Sequence, residues 1–419
     1  MAMVIFSPNL VFQIVGVVIA ASLFAISEID DEISVLFFSV NLIAALDINF
    51  FGIPLVSIFE AIFIFKCLFF FKTNRGNDKR TIVIIGLFLL SVISSIVLGF
   101  SVNRCFAFLI NLLMMHLIFG YAENLANDRR KFLMAKFFCS FVFGFTFTII
   151  ISLFRTNIWE ITYRNRFTAL WTDPNFVGLF VLVSICMLIA VFWKKMSRFL
   201  LFIPLVLLLL YCGYITYSRT FAIAAFVAIL LLTLAILKNK KTNPLIKMFG
   251  VIIVVFAGFL IYRYYLSNIF EVRGIIEESG RDATNGRVDD WGIAWSVYIS
   301  DFTHIIFGIG NSTSHNTIID LLIKYGPIGG ILTVILMISI FKDIKNLKVK
   351  EKLSMPLYNK IIYVVLIIYL FTLPMAEDDF TYMIIGCLPL CFTETSEANE
   401  TNNVTNAINA TNEQPKIEA

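Results

Sequence analysis

The chain predicts an all-α polytopic membrane protein, with about 12 transmembrane helices (11–13) and one long extracytoplasmic loop. Three observations predict it. Of 419 residues, 59% are hydrophobic and the mean hydropathy is +0.87, well above the composition of soluble domains. The apolar residues fall into runs close to the length that crosses a bilayer. The basic residues segregate between the connecting loops. Five loops, 72–80, 121–136, 194–198, 238–247 and 342–360, carry 21 of the 33 Lys and Arg residues, 16 of them lysines. The positive-inside rule places these loops in the cytoplasm.

Taken in order, the expected spans are 9–26, 33–49, 52–71, 81–100, 104–121, 137–154, 174–193, 199–216, 221–237, 248–266, 325–341, 361–373 and 380–392. Residues 8–26 lack a basic leader and a small-residue cleavage site, so they read as a retained span. The stretch 33–71 fits two short spans or one long span with a re-entrant piece, and that choice sets the side of the N-terminus. Span 380–392 is short, but Glu377, Asp378 and Asp379 mark a charged turn before it. The organisation is therefore N-terminal helices at 1–154, a central membrane core at 155–341, C-terminal helices at 342–392 and a tail at 393–419. The core includes the extracytoplasmic loops 155–173 and 267–314. The tail is rich in Asn, Thr and Glu and should be disordered. Its Asn-x-Thr sequons at Asn399, Asn403 and Asn409 are coincidental on a cytoplasmic tail. The seven cysteines lie in apolar stretches and read as small core residues.

The opposite face carries nine arginines, Arg104, Arg155, Arg164, Arg166, Arg219, Arg263, Arg273, Arg281 and Arg287, and one lysine, Lys324. Membrane retention alone does not distinguish the two cations. A phosphate site does, because the guanidinium fork donates two parallel hydrogen bonds to an oxyanion. This face is expected to hold an anionic group. Nucleic acid is an unsuitable partner, since the inner lysines are scattered over loops too short to form a groove.

Four constellations lie on the arginine-rich face. Ser218-Arg219-Thr220 interrupts the apolar run 199–237; an arginine there is a snorkelling helix end or faces a wet cavity. Arg166 accompanies Asp173-Pro174-Asn175, where capping explains Asp173 and Pro174 but not Asn175. Asn285-Gly286-Arg287 precedes Trp291 by four residues, so Arg287 and Trp291 share a helical face. In the segment WGIAWSVYI we expect a short amphipathic surface helix. The last is GIGNSTSHNTIIDLLIKYGPIGGIL, which places His315 and Asn316 between a glycine-rich turn and an apolar helix. Paired-cysteine, HExxH and phosphate-loop motifs are absent. His116 reads as a packed core residue, and Asp47 is a weak candidate for an acidic base in an early outer loop.

The order of these elements resembles the O-antigen polymerase and O-antigen ligase superfamily of bacterial envelopes. The resemblance rests on a span-ending SRT, a long outer loop with GR and a downstream Trp, then GIG, HN and YGPIGG. It covers about residues 160–335. It implies a glycosyltransferase that uses an undecaprenyl-diphosphate-linked glycan on the extracytoplasmic face of the bacterial cytoplasmic membrane. The acceptor is another lipid-linked repeat unit in a polymerase, and lipid A-core or a protein in a ligase. By this resemblance Arg219 and Arg287 bind the donor diphosphate, Arg166 is a third basic residue of the same cavity, and His315 activates the acceptor hydroxyl. Ser218, Asn175, Asn316, Arg281 and Trp291 are supporting residues. The GR element occurs twice, and Arg287 is preferred to Arg281 because Trp291 follows it.

The expected reaction is inverting and needs no metal and no other cofactor. The expected partners are the lipid-linked oligosaccharide, the bilayer and a chain-length regulator protein. A ligase is the same chemistry with another acceptor. A lipid-linked oligosaccharide flippase would need charge along the transit path, which spans 174–237 lack. A membrane scaffold would leave the arginine bias unexplained.

Overall fold

The computed structural model describes residues 10–46, 49–50, 53–69, 78–99, 103–155, 162–163, 166–169, 173–192, 198, 200–238, 243–260, 263, 287–309, 316–350, 353–373, 375 and 378–394. Among them are fifteen α-helices and three two-stranded antiparallel sheets. The helices are α1 (Leu10–Ile26), α2 (Ile29–Leu46), α3 (Leu55–Phe69), α4 (Asp78–Val97), α5 (Asn103–Glu123), α6 (Asn127–Arg155), α7 (Pro174–Phe192) and α8 (Ile203–Ile215). They continue as α9 (Arg219–Lys238), α10 (Pro244–Leu260), α11 (Arg287–Ile299), α12 (Phe302–Phe307), α13 (Thr317–Lys350), α14 (Leu357–Leu370) and α15 (Asp379–Gly386). Every expected apolar stretch holds a helix.

Six of these helices are long and apolar enough to cross a membrane, through Lys79–Val97, Cys105–Glu123, Asn127–Leu153, Pro174–Phe192, Arg219–Lys238 and Thr317–Val349. Helices α8 and α14 are apolar but shorter. The outward faces are those of a membrane protein. Ile82, Ile85, Leu89, Ile93 and Ile96 recur at helical spacing along α4, all exposed. Ile328, Ile331, Ile335 and Ile338 do the same on α13. Of the expected outer loop 267–314, residues 287–309 form α11 and α12; residues 264–286 lie outside the described part.

One core runs through α1–α3, α5–α9, α14 and α15, and a second packs α4 against α5 and α13. At the centre of the first is α15, with Phe380, Tyr382, Met383 and Ile384 all buried. The Phe380 ring stacks on Phe141 of α6 at 4.4 Å and meets Phe180 of α7 edge-on at 5.1 Å. Tyr382 meets Phe108 of α5.

Three of the basic loops meet at one end of the bundle. Arg80, 2% exposed, is bonded to Asp343 at 3.2 Å and Glu123 at 3.5 Å, with its guanidinium over the Phe119 ring. The turn between α1 and α2 joins this end. Lys66 bonds Glu32 at 2.6 Å, Arg129 pairs with Asp30, and Lys136 pairs with Asp31. The stretch 33–71 is therefore two antiparallel helices, α2 and α3, joined at the far end by the hairpin of β1 (Asn49–Phe50) and β2 (Ile53–Pro54). Helix α1 points its C-terminus at the basic end. Strand β5 (Leu353–Ser354) pairs with β6 (Thr393–Glu394), which ties the start of the tail to the basic loop 342–360. Strand β3 (Thr162–Tyr163) pairs with β4 (Arg166–Phe167) at the end away from the basic loops.

Candidate functional site

At the end of the bundle away from the Arg80 cluster, three polar motifs that are far apart in sequence come together around Asn175. Asp173 Oδ1 accepts from the Asn175 backbone N–H and from Asn175 Nδ2, each at 2.8 Å. With Nδ2 turned to that carboxylate, Asn175 Oδ1 faces the other way. There it accepts from Ser218 Oγ at 2.6 Å and from Arg166 Nη2 at 3.4 Å. Arg166 Nε donates to the Thr216 carbonyl at 2.9 Å. So β4, the start of α7 and the α8–α9 turn are fastened by a single amide.

The turn is built to present Arg219. Ser218 caps α9, its hydroxyl accepting from the Phe221 N–H at 3.2 Å. Tyr217 before it has φ 46°, a left-handed conformation that L side chains adopt at a cost. Ala169, just after β4, has φ 49°. These are the two non-glycine residues with positive φ among those described, and both flank the Asn175 cluster. Ser218 and Thr216 are fully buried and Asn175 nearly so, while Arg166 and Arg219 are half-buried. Asparagine 175 is thus explained by its two-sided bridging, which capping alone did not account for.

The GIG and YGPIGG motifs answer to packing. Gly308 (φ 79°) ends α12 and Gly326 (φ 65°) kinks α13 before Pro327. A Cβ on Gly308 would lie 2.1 Å from the Lys324 carbonyl, and one on Gly326 would lie 2.3 Å from the Ile306 carbonyl. Two glycines let two backbones touch, and the Ile309 N–H bonds the Ile323 carbonyl there at 2.7 Å. Asp301 caps α12, and its bonds from the Thr303 hydroxyl and N–H hold its carboxyl below the usual range. Ser94 of α4 donates to the Phe307 carbonyl at 2.7 Å.

Asn316 caps α13, with Oδ1 accepting from the Ile318 and Ile319 N–H groups at 3.0 and 3.2 Å. Its Nδ2 donates to the Phe371 carbonyl at 3.3 Å. Thr317 Oγ1 donates to the Leu373 carbonyl at 2.7 Å and accepts from the Met375 N–H at 3.0 Å. Ile309 is thus held on α13, and Asn316 and Thr317 on the residues that follow α14. The Asn175 cluster lies at the same end of the bundle, because Gly178, one turn into α7, faces the hydroxyl of Tyr369, two residues before Phe371.

Of the expected site residues, Arg166, Asn175 and Ser218 meet directly, and Arg219 follows Ser218 at the start of α9. Arg287 opens α11 with Trp291 one turn on and half-buried. The Arg287 side chain, Arg281, His315 and the weaker candidate Asp47 lie outside the described residues. His116 is buried and bonded to Thr81, as a core residue. All seven cysteines are free thiols. Thr216 and Thr317 were not singled out in the sequence. Their roles run through a backbone carbonyl and a one-residue extension of the HN motif, which leave no distinctive pattern.

Residues 203–334 match a family model described as O-antigen ligase. The match takes in Arg219, Arg287 and His315, and it supports the O-antigen polymerase and ligase superfamily. No curated protein and no solved structure matches the chain.

Proposed function

We propose that this membrane protein polymerises undecaprenyl-diphosphate-linked oligosaccharide repeat units into surface polysaccharide on the outer face of the bacterial cytoplasmic membrane. The observation that carries the reading is the family match over 203–334, which contains the SRT turn that the structure braces against Asn175 and Arg166. Arg219 sits at the first position of α9, where the helix dipole disfavours a cation. An anionic ligand there gains from both the helix N-terminus and the guanidinium. Backbone strain at Tyr217 and Ala169 beside the same cluster is of the kind found at ligand clamps.

In the proposed reaction Arg219, Arg166 and Arg287 neutralise the charge that develops on the departing lipid diphosphate, the task a divalent metal performs elsewhere. His315 takes the proton of the acceptor hydroxyl, which attacks the anomeric carbon directly and inverts it. A chain-length regulator is the protein partner this reading expects. The second reading is a ligase, favoured by the description of the matched family.

Gel ladders and mass spectrometry of envelope polysaccharide from a deletion strain test both. A single repeat unit attached to its final acceptor identifies a polymerase. Long polymer stranded on undecaprenyl diphosphate identifies a ligase. An unchanged ladder refutes both. In complementation, His315→Ala is expected to insert normally yet abolish transfer, and EDTA is expected to leave the activity of the purified protein intact.

A further inference from the structure

One carboxyl group has no role in the chemistry proposed above and no bonding partner. Glu60 lies on α3 with 1% of its surface exposed, and neither of its oxygens meets a hydrogen-bond donor. Its neighbours along the helix, Phe59 and Phe63, are buried and apolar. The other charge on α3, Lys66, is engaged with Glu32 and with the Ala25 carbonyl at the basic end.

Among the described side chains the surrounding helices offer Glu60 no cation; Arg104, at the start of α5, has its side chain outside them. Helix α1 has no titratable residue. The acids of α2, Asp30, Asp31 and Glu32, are bonded to Arg129, Lys136 and Lys66. On α5, His116, Tyr121 and Glu123 are bonded to Thr81, Asp30 and Arg80, and Cys105 meets Ser95. What α15 brings is acidic. Asp378 accepts from Thr381 as the helix cap, and the Asp379 carboxyl is close enough to Glu60 to repel a charge there. Asn111, itself buried, hydrogen-bonds Asp379.

An ionised carboxylate with neither hydrogen bond nor counter-ion in an apolar bundle is far costlier than the neutral acid. A second negative carboxylate alongside raises the cost. Of the two, Asp379 has the Asn111 amide and the first turn of α15 beside it, while Glu60 has no donor. We propose that Glu60 is an intramembrane proton-binding site, which holds its proton beside the Asp379 carboxyl. A bound cation fits less well. Ions of that kind collect about six oxygens, and among the described residues no group of three or more His, Cys, Asp or Glu side chains converges. This inference stands apart from the glycosyl-transfer reading.

The test is labelling with dicyclohexylcarbodiimide, which attacks protonated carboxyls in apolar surroundings, on the full chain in lipid nanodiscs, read by peptide mass spectrometry. Glu60 is expected to be modified, with a yield that falls as pH rises and is indifferent to sodium. Glu60→Gln, which keeps the shape of the neutral acid, is expected to fold and to lose the modification. Asp379→Asn removes the neighbouring carboxyl, so the pH at which labelling is half lost is expected to fall by about one to three units. Absence of labelling in the folded protein, when the denatured protein is labelled, overturns the site. Protection by sodium overturns it in favour of a cation. An unmoved pH profile in a folded Asp379→Asn protein overturns the pairing.

Discussion

Asn175 links a carboxylate, a hydroxyl and a guanidinium, so its loss is felt at all three. Asn175→Ala leaves Ser218 Oγ and Arg166 Nη2 without their acceptor, and buried losses of this kind cost about 1–3 kcal/mol. The expected outcome is a lowered melting temperature together with glycan chains shortened at least as much as in Arg166→Ala. Arg219→Lys keeps the charge and discards the fork, and is expected to lose most of the polymerisation activity. Near-normal glycan length in that variant removes the diphosphate-binding role. At this scale the sequence was readable wherever a polar side chain broke an apolar run, as Ser218, Arg219 and Asn175 do. It was mute about Thr216, which acts through its carbonyl. It was also mute about Glu60: the charge is plain in the run 52–71, but its neighbour Asp379 lies most of the chain away.

The helices were legible because apolar runs of bilayer length leave little other choice. What composition could not convey is how they begin, bend and touch. The kink in α13 follows from Gly326 and Pro327, yet its purpose appears only when Gly308 lies against it. Gly308→Ala and Gly326→Ala each place a methyl group within about 2.1–2.3 Å of a carbonyl and force a left-handed residue. Each is expected to destabilise by at least about 1–3 kcal/mol, seen as a drop in thermal stability in detergent. Asn316→Ala removes the cap of α13, worth about 1 kcal/mol, and also frees the link at Phe371. Asn316→Asp is expected to recover the cap but not the bond to the Phe371 carbonyl, so the two variants separate capping from anchoring.

Across the whole molecule, two differently built ends are held apart by the bundle. The basic end is fastened by ion pairs, the other by amides, hydroxyls and glycines. Arg80→Ala removes the buried guanidinium that joins Asp343 and Glu123 at the junction of α4, α5 and α13, at an expected cost of about 1–3 kcal/mol. Arg80→Met, which fills the space without a charge, is expected to recover part of this only when Asp343 is also neutralised. The loop charges foretold which loops gather together but left the direction of α1 open. The Lys66–Glu32 and Arg129–Asp30 pairs settle it, with the C-terminus of α1 at the basic end. A cysteine placed at Leu10 is therefore expected to react with an impermeant thiol reagent from outside intact spheroplasts. Protection there combined with reactivity at Ser27 would mean the reverse orientation.

The position of α15 has a consequence for how the protein is made. The helix that touches α5, α6 and α7 from within leaves the ribosome after the other described α-helices. Until it arrives, the earlier helices enclose a gap that lipid or an insertion chaperone has to occupy. Maturation then waits on the arrival of α15. A nonsense mutation just before Phe380 would leave every proposed catalytic residue in the chain and still send the product to the membrane proteases.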